Sequence, residues 1–130
     1  MSIANSKFVL FSFALMLLSS TASADTFRAN VQTTTLKGHS ILIQYELKYT
    51  VSADNIVSGK LKNFTQKNPC LQSEGNDITG KIEGDSLSFT VKMSLQGCEE
   101  NNFVGKKQAD GWAGKMRITG AEREILFTKQ

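Results

Sequence analysis

Few side chains in this sequence have the types and spacing that catalysis requires. His39 is the single histidine, and no Ser/His/Asp set or Gly-rich phosphate loop accompanies it. Asp110 has no second carboxylate beside it that would complete a general acid/base pair. One histidine and two cysteines are too few for a four-ligand zinc site. The sequence therefore predicts neither an enzyme nor a metal centre, and no cofactor is expected.

The beginning of the chain has the pattern of a secretory signal peptide. Lys7 supplies a positive charge, an apolar run extends from Phe8 to Leu18, and Ala22-Ser23-Ala24 matches a small-residue cleavage site. The run is too short to cross a hydrocarbon core of about 30 Å comfortably, so an uncleaved anchor is the less favoured alternative. We expect residues 1–24 to be removed and residues 25–130 to form one secreted or periplasmic domain.

Cys70 and Cys98 are the two cysteines of the chain. Because an exported protein meets oxidising conditions, we expect them to form a disulfide, with two free thiols as the alternative. Closing a loop of this length would stabilise the fold by roughly 3 to 4 kcal/mol in the chain-entropy treatment.

Alternating polarity indicates that the mature chain consists of β-strands. Apolar and polar side chains alternate from Ile41 to Val51, and the same period of two continues from Leu87 to Leu95. We predict an all-β fold, a small antiparallel up-and-down β-barrel of seven or eight strands, with a two-sheet sandwich as the alternative. Shorter strands are expected at 27–35, 56–64, 77–83, 112–119 and 122–128, and tight turns at 53–55, 83–85, 110–111 and 119–121.

A glycine followed by a lysine recurs within the predicted strands. It occurs at Gly59, Gly80, Gly105 and Gly114. Glycine inside a strand is typical of a bend or of close approach by another group. The glycines therefore indicate either strong strand curvature, which we favour, or room for a ligand inside the barrel.

Basic side chains fall on the polar sides of the predicted strands. Together they would form a basic wall able to bind anionic phospholipid or a host protein, whereas the alternative is solvated lysines that protect strand edges. The net charge of +3 for the whole chain does not indicate a nucleic-acid partner. The candidate wall consists of Lys48, Lys60, Lys81, Lys92, Lys115 and Arg117.

Several short segments between Gly38 and Thr128 share a pattern with one known family. They are Gly38 to Gln44, Val57-Ser58-Gly59, Ile78 to Ile82, Ser88 to Val91 and Gly111 to Gly114, with Cys70 and Cys98 among them. In these segments the chain resembles the avidins, and most of all their short dimeric bacterial members, whose two cysteines stand at corresponding places. The resemblance implies an up-and-down barrel that holds one small ligand at its open end, and it suggests a homodimer.

Most biotin contacts of the avidin family are not retained. Aligned on Gly38, the Trp, Asn and Ser of the first family motif are replaced by Thr33, Thr35 and His39. Each polar group left unpaired would cost about 1 to 3 kcal/mol, so the resemblance implies weak biotin binding or none. The implied ligand site consists of Thr35, His39, Leu61 in place of a tyrosine, Met93 in place of a tryptophan, Asp110, and Trp112, which keeps a family aromatic.

Two functional hypotheses follow from the sequence. In the first, an exported non-enzymatic protein holds a small ligand at the barrel mouth. A biotin-like molecule is one candidate for that ligand. In the second, the barrel is a scaffold whose basic wall binds a host or envelope partner such as anionic phospholipid. Trp112 as a core residue and His39 as an exposed turn residue are the plainer interpretations of those two side chains.

Overall fold

The computed structural model shows a closed barrel of eight antiparallel strands. It describes residues 24–34, 37–64, 70–71, 74–93, 95–98, 100–118 and 120–130, so the expected signal peptide lies, apart from Ala24, outside the described residues. The prediction of an all-β up-and-down barrel is confirmed, and the two-sheet alternative is wrong. The strands are β1 (Asp25–Thr34), β2 (Ser40–Val51), β3 (Ile56–Asn63), β4 (Asn76–Glu83), β5 (Ser86–Val91), β6 (Asn101–Gln108), β7 (Gly111–Ile118) and β8 (Ala121–Lys129).

Alternation along each strand places apolar side chains inside the barrel. In β2, Tyr45 and Leu47 are buried, whereas the neighbouring Gln44 and Lys48 are exposed. Burying one large apolar side chain stabilises the fold by roughly 1.5 to 3 kcal/mol. The most enclosed large side chains are Phe103, Phe127, Ile43, Leu47, Leu61, Ile78, Leu87, Met116, Val57 and Val91.

The two ends of the barrel differ in their connections. At one end, which we call the hairpin end, short turns join β2 to β3, β4 to β5 and β6 to β7. At the opposite end, the loop end, longer connections follow β3 and β5. The predicted disulfide between Cys70 and Cys98 is confirmed, and it ties these two longer connections together.

Residues with left-handed backbone make the tight turns of the hairpin end. Asn55, Gly84 and Ala109 have φ angles of 63°, 58° and 51°, which Asn and Gly adopt at little cost. The turn predicted at 110–111 lies one residue earlier, because Gly111 already pairs with Gln108 as the first residue of β7.

The glycines within the strands lie where neighbouring backbones approach closely. A Cβ atom at Gly59 would meet the Lys48 carbonyl oxygen and would lie 2.6 Å from the Tyr49 Cα atom. A Cβ atom at Gly80 would lie 2.6 Å from the Phe89 Cα atom. The space beside these glycines is filled by the next strand, which supports the curvature interpretation rather than room for a ligand.

β5 is shorter than the sequence pattern predicts. It ends at Val91, and Leu95, expected on the apolar face of a longer strand, is 55% exposed. The Asn76 side-chain amide donates hydrogen bonds to the carbonyl oxygens of Cys70 and Lys92 at 2.8 and 2.9 Å. These bonds hold the chain as it leaves the sheet toward the disulfide, so the alternating pattern no longer decides which side chains are buried.

Candidate functional site

Trp112 lies at the hairpin end and belongs to an aromatic cluster of the core. Its indole Nε1–H donates a hydrogen bond to the Tyr49 hydroxyl at 3.0 Å. The Tyr49 ring in turn stacks on Phe27, with the ring centroids 5.4 Å apart. Trp112 is buried, and its one polar atom is already bonded. This geometry is that of a core residue, the plainer of the two interpretations given above.

The structure does not gather the pocket residues expected from the sequence. His39 is exposed and Met93 is half-buried, both at the loop end, while Asp110 is exposed in the turn between β6 and β7 at the hairpin end. Leu61 is fully buried in the core. Thr35 lies outside the described residues. Trp112 and Asp110 therefore lie at the end of the barrel opposite His39 and Met93.

Buried polar side chains lie at the loop end of four strands, β1, β3, β4 and β6. They are Thr33, Asn63, Asn76 and Asn101. Asn101 Nδ2 donates to the Arg117 carbonyl oxygen at 3.0 Å, and the Arg117 N–H donates back to Asn101 Oδ1 at 3.2 Å. Asn76 holds the disulfide-tied connections, as described above. Since the amides of Asn76 and Asn101 bond the protein's own backbone, these two side chains stabilise the loop end and are engaged before any ligand arrives.

The candidate basic side chains are spread around the barrel. Lys60 lies on β3 and Lys115 on β7, which are opposite strands of an eight-strand ring. Lys60 pairs with Asp77 at 3.3 Å and Lys81 with Glu83 at 2.9 Å. Lys48, Lys60, Lys81, Lys92, Lys115 and Arg117 are all exposed, as expected, but they do not share one face.

One arrangement among these lysines is unfavourable by itself. Lys48 on β2 and Lys60 on β3 are directly opposed in the strand register, and Lys62 lies one position further on the same face. A groove of about 370 Å³ runs between them. Like charges directly opposite one another destabilise a sheet by a few tenths of a kcal/mol. Asp77, which pairs with Lys60 at 3.3 Å, and the groove residues Glu46 and Glu74 offset part of this cost, and an anion between the ammonium groups would offset more.

A second groove crosses the outer wall where β8 meets β1 and β2. Its volume is about 580 Å³. The ladder that closes the barrel here is short. β1 and β8, whose residues are all described, pair at Phe27–Lys129 and Arg28–Thr128, whereas β1 pairs with β2 over its whole length. We call this the lateral groove, and it is lined by Arg28, Ala29, Asn30, Gln44, Tyr45, Phe64, Leu126, Thr128 and Gln130.

Arg28 and Phe64 form one wall of the lateral groove. Arg28 Nη2 donates to Glu46 Oε2 at 3.2 Å, and its guanidinium lies over the Phe64 ring, 5.8 Å from the centroid. The Phe64 backbone N–H donates to the Gln44 carbonyl oxygen at 2.9 Å. These contacts hold an aromatic side chain in a position where 52% of its surface is exposed.

Tyr45 connects the barrel core with the lateral groove. Its side chain is 3% exposed, and burial raises the pKa of Tyr45 to about 12. No hydrogen bond of its hydroxyl is found to any described residue. Yet, among the described residues, every side-chain nitrogen or oxygen that is fully enclosed has a hydrogen-bond partner. The Tyr45 hydroxyl is therefore still reached by solvent. Tyr45 is also one of the residues that line the lateral groove.

The sequence did not reveal this groove. In the alternating pattern, the polar, solvent-facing positions of the strands include Arg28, Asn30 and Gln44, whereas Tyr45 occupies an apolar, core-facing position. The one available signal was a tyrosine among the apolar positions of β2, since a buried tyrosine needs a partner for its hydroxyl. The groove itself arises from barrel closure, which brings together residues nearly 100 positions apart, roughly the whole length of such a domain.

Comparison of the chain with protein-family models, with curated proteins and with solved structures returns no match. Among the described residues, no group of three or more His, Cys, Asp and Glu side chains could hold a metal ion. In the same part of the chain, no helix has the length and apolar character needed to cross a membrane.

Proposed function

We propose that this protein is an exported, non-enzymatic binding protein that uses an avidin-like barrel as a scaffold and holds a small polar ligand in the lateral groove. The observation that carries the proposal is Tyr45, a core residue that also lines the groove and whose hydroxyl bonds no described residue. Because solvent reaches this hydroxyl, a ligand in the groove would take the place of the water that bonds it.

Export is supported by the pattern at the start of the chain and by the disulfide. Disulfides persist in the periplasm and outside cells and are rare in the cytosol. The avidin-like assignment rests on the segments quoted above and on the barrel topology. Catalysis is not proposed, because the groove contains no nucleophile next to a base and no pair of carboxylates.

The lateral groove suits a ligand better than the barrel mouth does. The interior is filled by core side chains, and the buried amides of Asn76 and Asn101 at the loop end are bonded to backbone. The groove, in contrast, combines apolar walls with polar groups and has the size typical of small-molecule sites, about 300 to 1,000 Å³.

Ligand-observed NMR with a library of small polar molecules tests the proposal on the mature, oxidised protein. We expect hits whose signals disappear with Tyr45→Phe or Gln44→Ala and persist with His39→Ala, a control at the loop end. Hits that depend on His39 or Met93 would contradict the lateral site and would indicate that the ligand binds at the barrel mouth. Calorimetry with biotin should show weak binding or none, and a nanomolar affinity would refute our account of the lost contacts.

A second candidate function has one specific observation in its favour, the opposed Lys48 and Lys60. Here the outer wall of β2 and β3 would bind anionic phospholipid. The test is co-sedimentation with phosphatidylglycerol vesicles, with phosphatidylcholine vesicles as a control. Lys48→Glu combined with Lys60→Glu should abolish binding, whereas Lys115→Glu on the opposite wall should not. Equal loss from both variants would indicate a net-charge effect and no site.

A further inference from the structure

We infer that the ligand class of the lateral groove is an uncharged saccharide, an inference that rests on the function proposed above. The polar lining consists mainly of side chains that both donate and accept hydrogen bonds. A sugar hydroxyl does the same, so each such pair can form in either direction. The groups concerned are the amides of Asn30 and Gln44, the Gln130 amide, whose Nε2 also donates to the Thr128 carbonyl oxygen at 2.8 Å, and the hydroxyls of Tyr45 and Thr128.

The charge of the lining favours a neutral ligand. Arg28 is its one charged side chain, and the guanidinium already donates to Glu46 at 3.2 Å. A phosphate or a carboxylate that bonded Arg28 would share the guanidinium with the Glu46 carboxylate. Repulsion from that carboxylate opposes an anionic group at this position.

The apolar lining matches the other surface of a sugar ring. A pyranose carries C–H groups on its faces and hydroxyls around its rim, and aromatic rings cover such faces well. Phe64 and Leu126 are 52% and 48% exposed at the groove. Covering them with C–H groups removes apolar surface from water, while the amides reach the rim. The volume of about 580 Å³ is suited to a ligand of about one or two sugar rings.

Heteronuclear NMR of the ¹⁵N-labelled, oxidised mature protein tests this inference. The probes are cellobiose, N,N′-diacetylchitobiose and glucuronic acid. We expect one of the neutral disaccharides to give saturable shifts of the side-chain amide signals of Asn30, Gln44 and Gln130. Tyr45→Phe should then weaken binding by about 3- to 10-fold, the loss expected for one hydrogen bond.

Matched controls separate the groove from general destabilisation. Tyr49→Phe removes a tyrosine hydroxyl at the hairpin end and should leave the affinity unchanged. Phe64→Ala should weaken binding at least as much as Tyr45→Phe does, whereas Leu95→Ala, which removes another exposed apolar side chain, should not. Thermal unfolding of each variant shows that it is folded at the temperature of the titration.

The outcomes distinguish this inference from the proposed function. Groove shifts with glucuronic acid alone, lost with Arg28→Ala, would overturn the neutral saccharide in favour of a carboxylate ligand. No shifts with any sugar, while another small molecule binds the groove and depends on Tyr45, would overturn the saccharide and leave the proposed function standing. Absence of any small-molecule binding in the groove would overturn both.

Discussion

Replacing Gly59 with alanine tests whether the glycines of the strands serve curvature or leave room for a ligand. The new methyl group would overlap the Lys48 carbonyl oxygen and lie 2.6 Å from the Tyr49 Cα and 2.9 Å from the Lys48 carbonyl carbon. These atoms are backbone, so β2 and β3 must move apart. Overpacking costs about 1 to 3 kcal/mol, and each weakened ladder hydrogen bond adds about 1 kcal/mol. We therefore expect Gly59→Ala to destabilise the fold by about 2 to 5 kcal/mol.

The assay is urea unfolding followed by the fluorescence of Trp112, the single tryptophan. Gly97→Ala is the control, because its Cβ would meet no atom within 4 Å and only the positive φ of 91° opposes alanine. That conformation costs about 1 to 2 kcal/mol. If Gly59→Ala costs no more than the control, the strands are not in close contact at Gly59. The curvature argument would then be wrong and the interior would have room for a ligand.

Three further predictions concern the disulfide and the buried aromatic residues. Replacing Cys70 and Cys98 together with serine should lower stability by roughly 3 to 4 kcal/mol and the melting temperature by roughly 15 to 25 °C in a thermal scan, and an unchanged melting temperature would contradict this. Trp112→Phe removes the bond to Tyr49 and should cost about 1 to 2 kcal/mol in urea, with ligand binding unaffected. Burial raises the pKa of Tyr45 to about 12 from 10, so the folded protein retains a proton that the unfolded chain loses. Stability should be independent of this group below pH 10 and fall as the pH rises from 10 to 12. Tyr45→Phe should flatten that part of the curve.

Local pattern was sufficient to predict most of the barrel. The alternation from Ile41 to Val51 gives β2 with the correct inner face, because one side of a sheet must be buried. Gly84 and Asn55 mark two hairpins, because both tolerate a positive φ. The pattern failed at Leu95, where the hydrogen bonds of Asn76 and the disulfide direct the chain away from the sheet. Contacts between distant segments are not visible in a period of two.

The candidate site was much less predictable, for a physical reason. Trp112 was chosen by residue type, but its position at the start of β7 places it at the hairpin end, where Tyr49 accepts its N–H. The lateral groove depends on the point where β8 returns to β1, and no local spacing encodes that closure. Arg28 and Gln44 become neighbours of Leu126 only after the barrel has closed.

Tyr45 links the stability of the barrel to its proposed function. A phenylalanine at this position would fill the same core volume without a polar atom to desolvate, so Tyr45→Phe should be neutral or stabilising by up to about 1 kcal/mol. A hydroxyl that contributes nothing to folding and bonds no described residue is available to a ligand in the groove that Tyr45 lines. If Tyr45→Phe instead destabilises the fold by more than about 1 kcal/mol, the hydroxyl has a bonding partner within the protein. The lateral groove would then lose the observation on which its assignment rests.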